Sequence, residues 1–238
     1  MLLAFISGVP AQGWRTASME RVGLAPDPAV TPEPVVQVYA ARTWGWRGAF
    51  AVHSWVAVKA ERAKAWTVYE VIGWRLRTSD SALVVRHRDP DARWFGNAPE
   101  LLAEKRGQGV EQLIARVDKA AREYPYAGEY SVWPGPNSNT FTAWIARAVP
   151  ELEVDLPPTA IGKDYLGERV VASAPSGSGF QLSLFGLLGL TASGVEGLEL
   201  NLLGLTFGIN PFDPALKLPI LGRLGAARAN GAAAKEAN

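Results

Sequence analysis

The chain has 238 residues, 48% of them hydrophobic and 20% charged, enough to bury a substantial core in one large domain or in a domain with an appended subdomain. Its net charge of +1 gives no electrostatic pull toward nucleic acid. The absence of Cys excludes disulfides, thiolate nucleophiles and Cys-ligated zinc, and the two His, His53 and His87, are too few for a multi-His centre. One His with carboxylates stays open as a ligand set, and the expectation is of no metal and no other cofactor.

The chain opens on a short apolar run of about eight residues, against the ~20 that span a bilayer. It reads either as the remnant of a signal or anchor or as an ordinary buried segment. Residues 24–34 carry four prolines and read as an extended linker, which makes 1–34 an N-terminal segment ahead of a domain over 35–170. Val35 to Tyr39, Ala49 to Lys59, Trp66 to Trp74 and Ala82 to His87 are rich in β-branched and aromatic residues and predict four strands. Their short polar connections favour antiparallel pairing.

Helices are expected next. Asn97-Ala-Pro-Glu100 has the form of a capping box, opening a helix that Gly107 stops. Val110, Leu113, Ile114, Val117 and Ala121 recur at helical spacing and predict an amphipathic helix over 110–123. A loop from Tyr126 to Pro136 leads into a third helix from about Ser138 to Val149, closed by Pro150. The whole reads as an α+β fold, an antiparallel sheet packed on helices.

Composition shifts after residue 150. All nine Trp lie at or before Trp144, and residues 175–224 are rich in Leu and Gly. Leu-Leu-Gly-Leu-Thr occurs at 187–191 and again at 202–206, and alternation is visible in Phe180-Gln-Leu-Ser-Leu and Leu198-Glu-Leu-Asn-Leu. These predict a C-terminal segment over 171–224 containing an apolar hairpin, with strands joined near Gly194–Gly197. The hairpin is either buried or laid against a membrane or a partner. Residues 225–238, Ala-rich and polar, read as a disordered tail.

Candidate chemistry centres on His53 and Ser138. Ser138 follows a loop stiffened by two prolines and would open a helix, whose free N–H groups stabilise a developing anion. A Ser hydroxyl needs a base, for which His53 is the candidate. Glu70, His87, Asn137 or Asn139 are available to orient the imidazole, with helix N–H groups near Asn139 holding the oxyanion. The competing reading is that Asn137-Ser138-Asn139 caps the helix. Trp44 and Trp46 on a turn, with Trp55 and Trp133, are candidates for the wall of a substrate cleft. Arg42, Arg47, Arg75 and Arg77 read as solvated strand edges or as an anion site, and Lys163-Asp164-Tyr165 as a latch. No nucleophile elbow, phosphate loop or dinucleotide fingerprint occurs.

Val36-Gln-Val-Tyr-Ala-Ala-Arg-Thr-Trp-Gly-Trp, Arg93-Trp-Phe-Gly-Asn-Ala-Pro-Glu, Tyr124-Pro-Tyr, Trp133-Pro-Gly-Pro-Asn-Ser-Asn-Thr-Phe and Leu156-Pro-Pro-Thr-Ala-Ile-Gly-Lys-Asp-Tyr together resemble an uncharacterised bacterial family of unknown function. The likeness runs from about Gly13 to Leu224 and is most specific at 133–141. Members often begin with a hydrophobic membrane segment, which implies a place in the bacterial cell envelope, inner-membrane associated or periplasmic. A strand His followed by Asn137-Ser138-Asn139-Thr140-Phe141 at a helix start is also similar to circularly permuted papain-like hydrolases of the NlpC type. That likeness covers residues 50–150 and implies a papain-like core. It departs at the nucleophile: Ser138 stands where those enzymes have Cys, and no thiolate–imidazolium pair can form.

Two functions follow as expectations. One is a hydrolase or acyltransferase acting on an amide or ester of a small molecule, lipid or cell-wall peptide. The other is a non-catalytic, envelope-associated binding protein, with contact to a membrane surface and none to nucleic acid.

Overall fold

The computed structural model describes residues 16–225, so the apolar run at the start and the expected disordered tail beyond Gly225 lie outside the described residues. Among the described residues, twelve strands and two α-helices form a mixed α+β structure with two antiparallel sheets.

The first sheet contains β1 (Val35–Arg42), β2 (Val52–Lys59), β3 (Thr67–Val71), β4 (Leu83–His87) and β5 (Glu100–Arg106), in the order β4-β3-β2-β1-β5. Its central strands are buried on both faces, which is why β1 reads almost without polar residues. Val36, Val38, Val52, Val56 and Val58 face helices α1 (Val110–Arg122) and α2 (Ser138–Ala148). Val35, Tyr39, Ala41, Trp55 and Ala57 face the other way, into a second core with Trp66 and Trp94. Part of that core is closed by the proline-rich stretch expected to be a linker: Ala25 is buried there, and Trp66 Nε1 donates to the Pro26 carbonyl at 3.3 Å.

The helix expected after Asn97 is instead strand β5. The edge of the sheet beside β1 was open, and Glu100–Arg106 fills it by pairing antiparallel with Val35–Ala40, a case of tertiary pairing overriding local propensity. A bulge at Val38/Tyr39 adjusts the register. The third strand ends at Val71, where Gly73–Arg77 turns into a short 3-10 helix. Gly73 is required there because a Cβ would meet the Tyr130 ring at 2.3 Å.

The C-terminal segment is a full seven-stranded meander rather than a hairpin, in the order β12 to β6. Its strands are β6 (Val171–Ser173), β7 (Gly179–Leu184), β8 (Leu188–Ser193), β9 (Gly197–Leu202), β10 (Leu205–Asn210), β11 (Ala215–Leu218) and β12 (Gly222–Gly225). The expected turn near Gly194–Gly197 joins β8 to β9. The Leu-Leu-Gly-Leu-Thr repeat marks entries into β8 and β10, but a longer repeat underlies the architecture. Phe180-Gln-Leu-Ser-Leu-Phe-Gly, Leu198-Glu-Leu-Asn-Leu-Leu-Gly and Leu216-Lys-Leu-Pro-Ile-Leu-Gly recur eighteen residues apart. Each ends on a glycine at positive φ, Gly186, Gly204 and Gly222, which supplies the tight turn of a hairpin.

Candidate functional site

Helix α2 begins as its sequence dictates. The Asn137 side chain accepts from the Asn139 N–H at 2.9 Å and the Thr140 N–H at 3.3 Å, and Thr140 Oγ1 accepts from the Asn137 N–H at 3.0 Å. Asn137 Nδ2 donates to the Val132 and Ile161 carbonyls, and Asn139 Nδ2 to those of Val52 and Ile161. Thr140 Oγ1 donates to the Gly162 carbonyl, and Phe141 is fully buried against Tyr124. The segment 133–141 therefore clamps α2, strand β2 and the 159–162 loop together. The Asn137, Asn139 and Thr140 side chains in it all have structural partners, as the capping reading expects.

The structure does not bring Ser138 and His53 together. Alternation along β2 sends Ser54 toward α2, where its hydroxyl bonds Asn139 Oδ1 at 2.8 Å and Thr142 Oγ1 at 2.9 Å. His53, one residue earlier, points through the opposite face and stacks on Trp94 with ring centroids 3.8 Å apart. Ser138 is 3% exposed and lies on the helix side. The sheet stands between the two groups.

Glu70, one of the four groups available to orient the His53 imidazole, is hydrogen-bonded to it. His53 Nε2 lies 3.2 Å from Glu70 Oε2, and Arg86 and Arg88 donate to the same carboxylate. Glu70 is fully buried, and burial alone would raise its pKa. The His53 hydrogen bond and the Arg88 and Arg86 guanidiniums overcome that and hold it at about 2. Burial pushes the His53 pKa down, against the pull of Glu70, so the imidazole is neutral and donates its Nε2–H. This is a closed ionic cluster behind Trp94. His87 sits elsewhere, on the α1 side, 3.3 Å from Thr67 Oγ1. It lines an open groove with Lys64, Tyr69, Glu111 and Asp118.

The four Trp do not share a wall. Trp55 is buried and donates from Nε1 to the Pro90 carbonyl at 2.8 Å. Trp44 and Trp46 are exposed on the turn around Gly45–Ala49. Trp133 reaches the tip of the β9–β10 hairpin, its Nε1 donating to the Leu203 carbonyl at 2.8 Å. Among the described residues no group of three or more His, Asp or Glu is placed to hold a metal ion.

The most unusual chemistry lies in the C-terminal sheet, whose sidedness is inverted. Its polar side chains point inward. Lys217 Nζ donates to Asp155 Oδ1 at 2.6 Å, Glu199 Oε1 at 2.7 Å and the Glu196 carbonyl at 2.8 Å. Lys163 Nζ donates to Glu199 Oε2 at 2.6 Å. Asp164 accepts from Gln181 Nε2 and from Asn201 Nδ2. All seven side chains are buried. Burial opposes charge on Lys163 and Glu199, but the carboxylates around the first raise it, and Lys163 and Lys217 lower the second, so both are ionised. Of the stretch Lys163-Asp164-Tyr165, read as a latch, Lys163 and Asp164 fasten the C-terminal sheet to the α+β domain, while Tyr165 packs on Tyr126.

The leucines point outward. Cross-strand registers line up Val171, Leu182, Leu190, Leu200 and Phe207 in one row, and Phe180, Ala192, Leu198, Ile209, Leu216 and Leu224 in the next. Apart from Ala192, each is more than a third exposed. The hairpin tips continue the pattern with Phe185 and Leu203, exposed and at positive φ. The alternation was visible in the sequence, but which side faced the protein was not.

Residues 33–165 match the family described as "Protein of unknown function (DUF3750)". The match spans more than half of the chain, which therefore belongs to that family. No curated protein and no solved structure matches it.

Proposed function

We propose that this DUF3750 protein is a non-catalytic binding protein whose working surface is the outer face of its C-terminal sheet. What carries the reading is the inverted sidedness. A folding chain gains about 25 cal/mol for each Å² of apolar surface it buries. This sheet instead spends its inner face on ions and amides and leaves its leucines in water, an arrangement that makes sense when another surface covers them. Soluble monomers rarely expose apolar patches larger than a few hundred Å². Leu203 and Phe185, held at φ +54° and +52°, add support. Asn, Asp or Gly fit such turn positions at lower cost, and strain of this kind is retained where a surface is used.

A hydrolase using Ser138 and His53 on a papain-like core finds no support, because that mechanism needs both groups in one cleft. The test is the stability of the variants L190T and L200T. If the face is a docking surface, each shifts unfolding of the isolated chain by no more than about 0.5 kcal/mol. A loss of about 2–5 kcal/mol per site, independent of protein concentration, is the cost of opening a core. It would mean that the chain covers this face itself, and the reading would fall.

A further inference from the structure

We infer that the outer face of the C-terminal sheet is covered by the same face of a second copy, forming a two-fold β-sandwich between chains. The inference rests on the reading of that face as a docking surface and names its occupant.

Three observations favour a second copy. The first is area. Seven strands roughly 4.8 Å apart, most about 20 Å long, give an apolar face of roughly 500–600 Å² before the relief of the side chains is added. Two such faces stacked about 10 Å apart remove roughly 1,000–1,200 Å² from water, the region where specific, stable interfaces begin. The second is charge. A two-fold contact sets each part of the face against a copy of the same surface, so any charge on it meets its like. The strand residues of this face carry none: every charged side chain of β7 to β12, namely Glu199, Lys217 and Arg223, belongs to the inner set. The third concerns the edges. Among the described residues, the outer edges of β6 and β12 pair with no strand. Immersed in hydrocarbon, their free backbone groups would each cost several kcal/mol, which sets a bilayer against this open sheet. In a sandwich between two copies the same edges stay in water.

β9 is the central strand of the seven and Leu200 the middle of its outer residues, so the two-fold axis that buries the most passes close to Leu200. The chain has no Cys, which makes a single introduced thiol a clean reporter. Sedimentation equilibrium of the full chain at micromolar concentration is expected to give a dimer. The double variant L190K/L200K, with unchanged circular dichroism, is expected to weaken it at least 100-fold. Mild oxidation is expected to cross-link L200C and to leave F212C, at the far tip, as monomer; this pair serves if the charged variant misfolds. A monomer at tens of micromolar, a dimer that survives L190K/L200K, or a dimer in which L200C does not cross-link overturns the inference. A monomer that floats with neutral phosphatidylcholine vesicles overturns it in favour of a bilayer and leaves the docking reading intact. Concentration-independent destabilisation by L190T or L200T removes the docking reading as well.

Discussion

Replacing Lys217 by Met tests whether the ionic latch holds the sheet onto the domain. The Lys217 ammonium is fully buried and serves two carboxylates and one carbonyl. In the Lys217→Met variant the stem is still filled, so little packing is lost. The balance of charge is not kept: Asp155 and Glu199 are left with one buried ammonium, Lys163, for two carboxylates. Breaking a buried ion pair from one side costs about 3–5 kcal/mol, because the remaining charge is stranded away from water. Against a typical domain stability of about 5–15 kcal/mol this is a large share. Urea unfolding followed by Trp fluorescence measures it, since Trp133 touches the hairpin tip at Leu203 while Trp55, Trp66, Trp94 and Trp144 report on the α+β domain. The double variant Glu199→Gln/Lys217→Met restores one ammonium per carboxylate and is expected to recover about 2 kcal/mol, a coupling typical of residues in one network. A single-variant loss below about 1 kcal/mol, or a double variant no better than the single, would refute the reasoning and leave the sheet held by something else.

Acidification should destabilise the protein in two stages. His53 has a lowered pKa in the fold, so the unfolded chain takes up its proton first and stability begins to fall below about pH 6.5. Glu70, held at about 2 against an ordinary 4.5, contributes about 3 kcal/mol above pH 4.5 that is lost as the pH falls toward 2. The urea midpoint against pH shows both, and Glu70→Gln should start less stable and lose the steeper limb; a flat wild-type profile from pH 6 to 3 would contradict this. Asn137→Ala removes the cap of α2 and two side-chain donors, and calorimetry should find a loss of about 2–4 kcal/mol, with Asn137→Asp in between. Ser138, buried and separated from His53 by the sheet, should escape a Ser-reactive phosphonate in the folded protein, as mass spectrometry of the treated chain would report.

Much of the α+β domain was legible from its residues. Four strands, the amphipathic α1 and the capped α2 follow from alternation, helical spacing and Asn137. β5 did not follow, because Glu100-Leu-Leu-Ala-Glu-Lys-Arg106 is a good local helix former and only the open edge of β1 makes it a strand. Glu70 was legible as one of four candidate partners of His53, on the neighbouring strand, and the sequence did not choose among them. The separation of His53 from Ser138 was not, since chain order says nothing of which face of a sheet a helix covers. In the C-terminal segment the period of two was plain. Alternation alone does not say which side faces the domain, so the Gln181, Glu199 and Lys217 contacts stayed hidden, their sequence trace being the eighteen-residue spacing of the hairpins.

That spacing has a consequence for how the sheet finds its place. Three near-identical hairpins with leucine backs are interchangeable as far as their outer rows are concerned, and a chain shifted by one unit would lose little there. The inner face forbids the shift. Moving the meander along by one hairpin would set Lys217 before Lys163 and Glu199 before Asp164, like meeting like at both posts. Glutamine, glutamate and lysine in that order act as the wards of a key, and a repetitive ribbon seats in a single frame because only one alignment lets them turn.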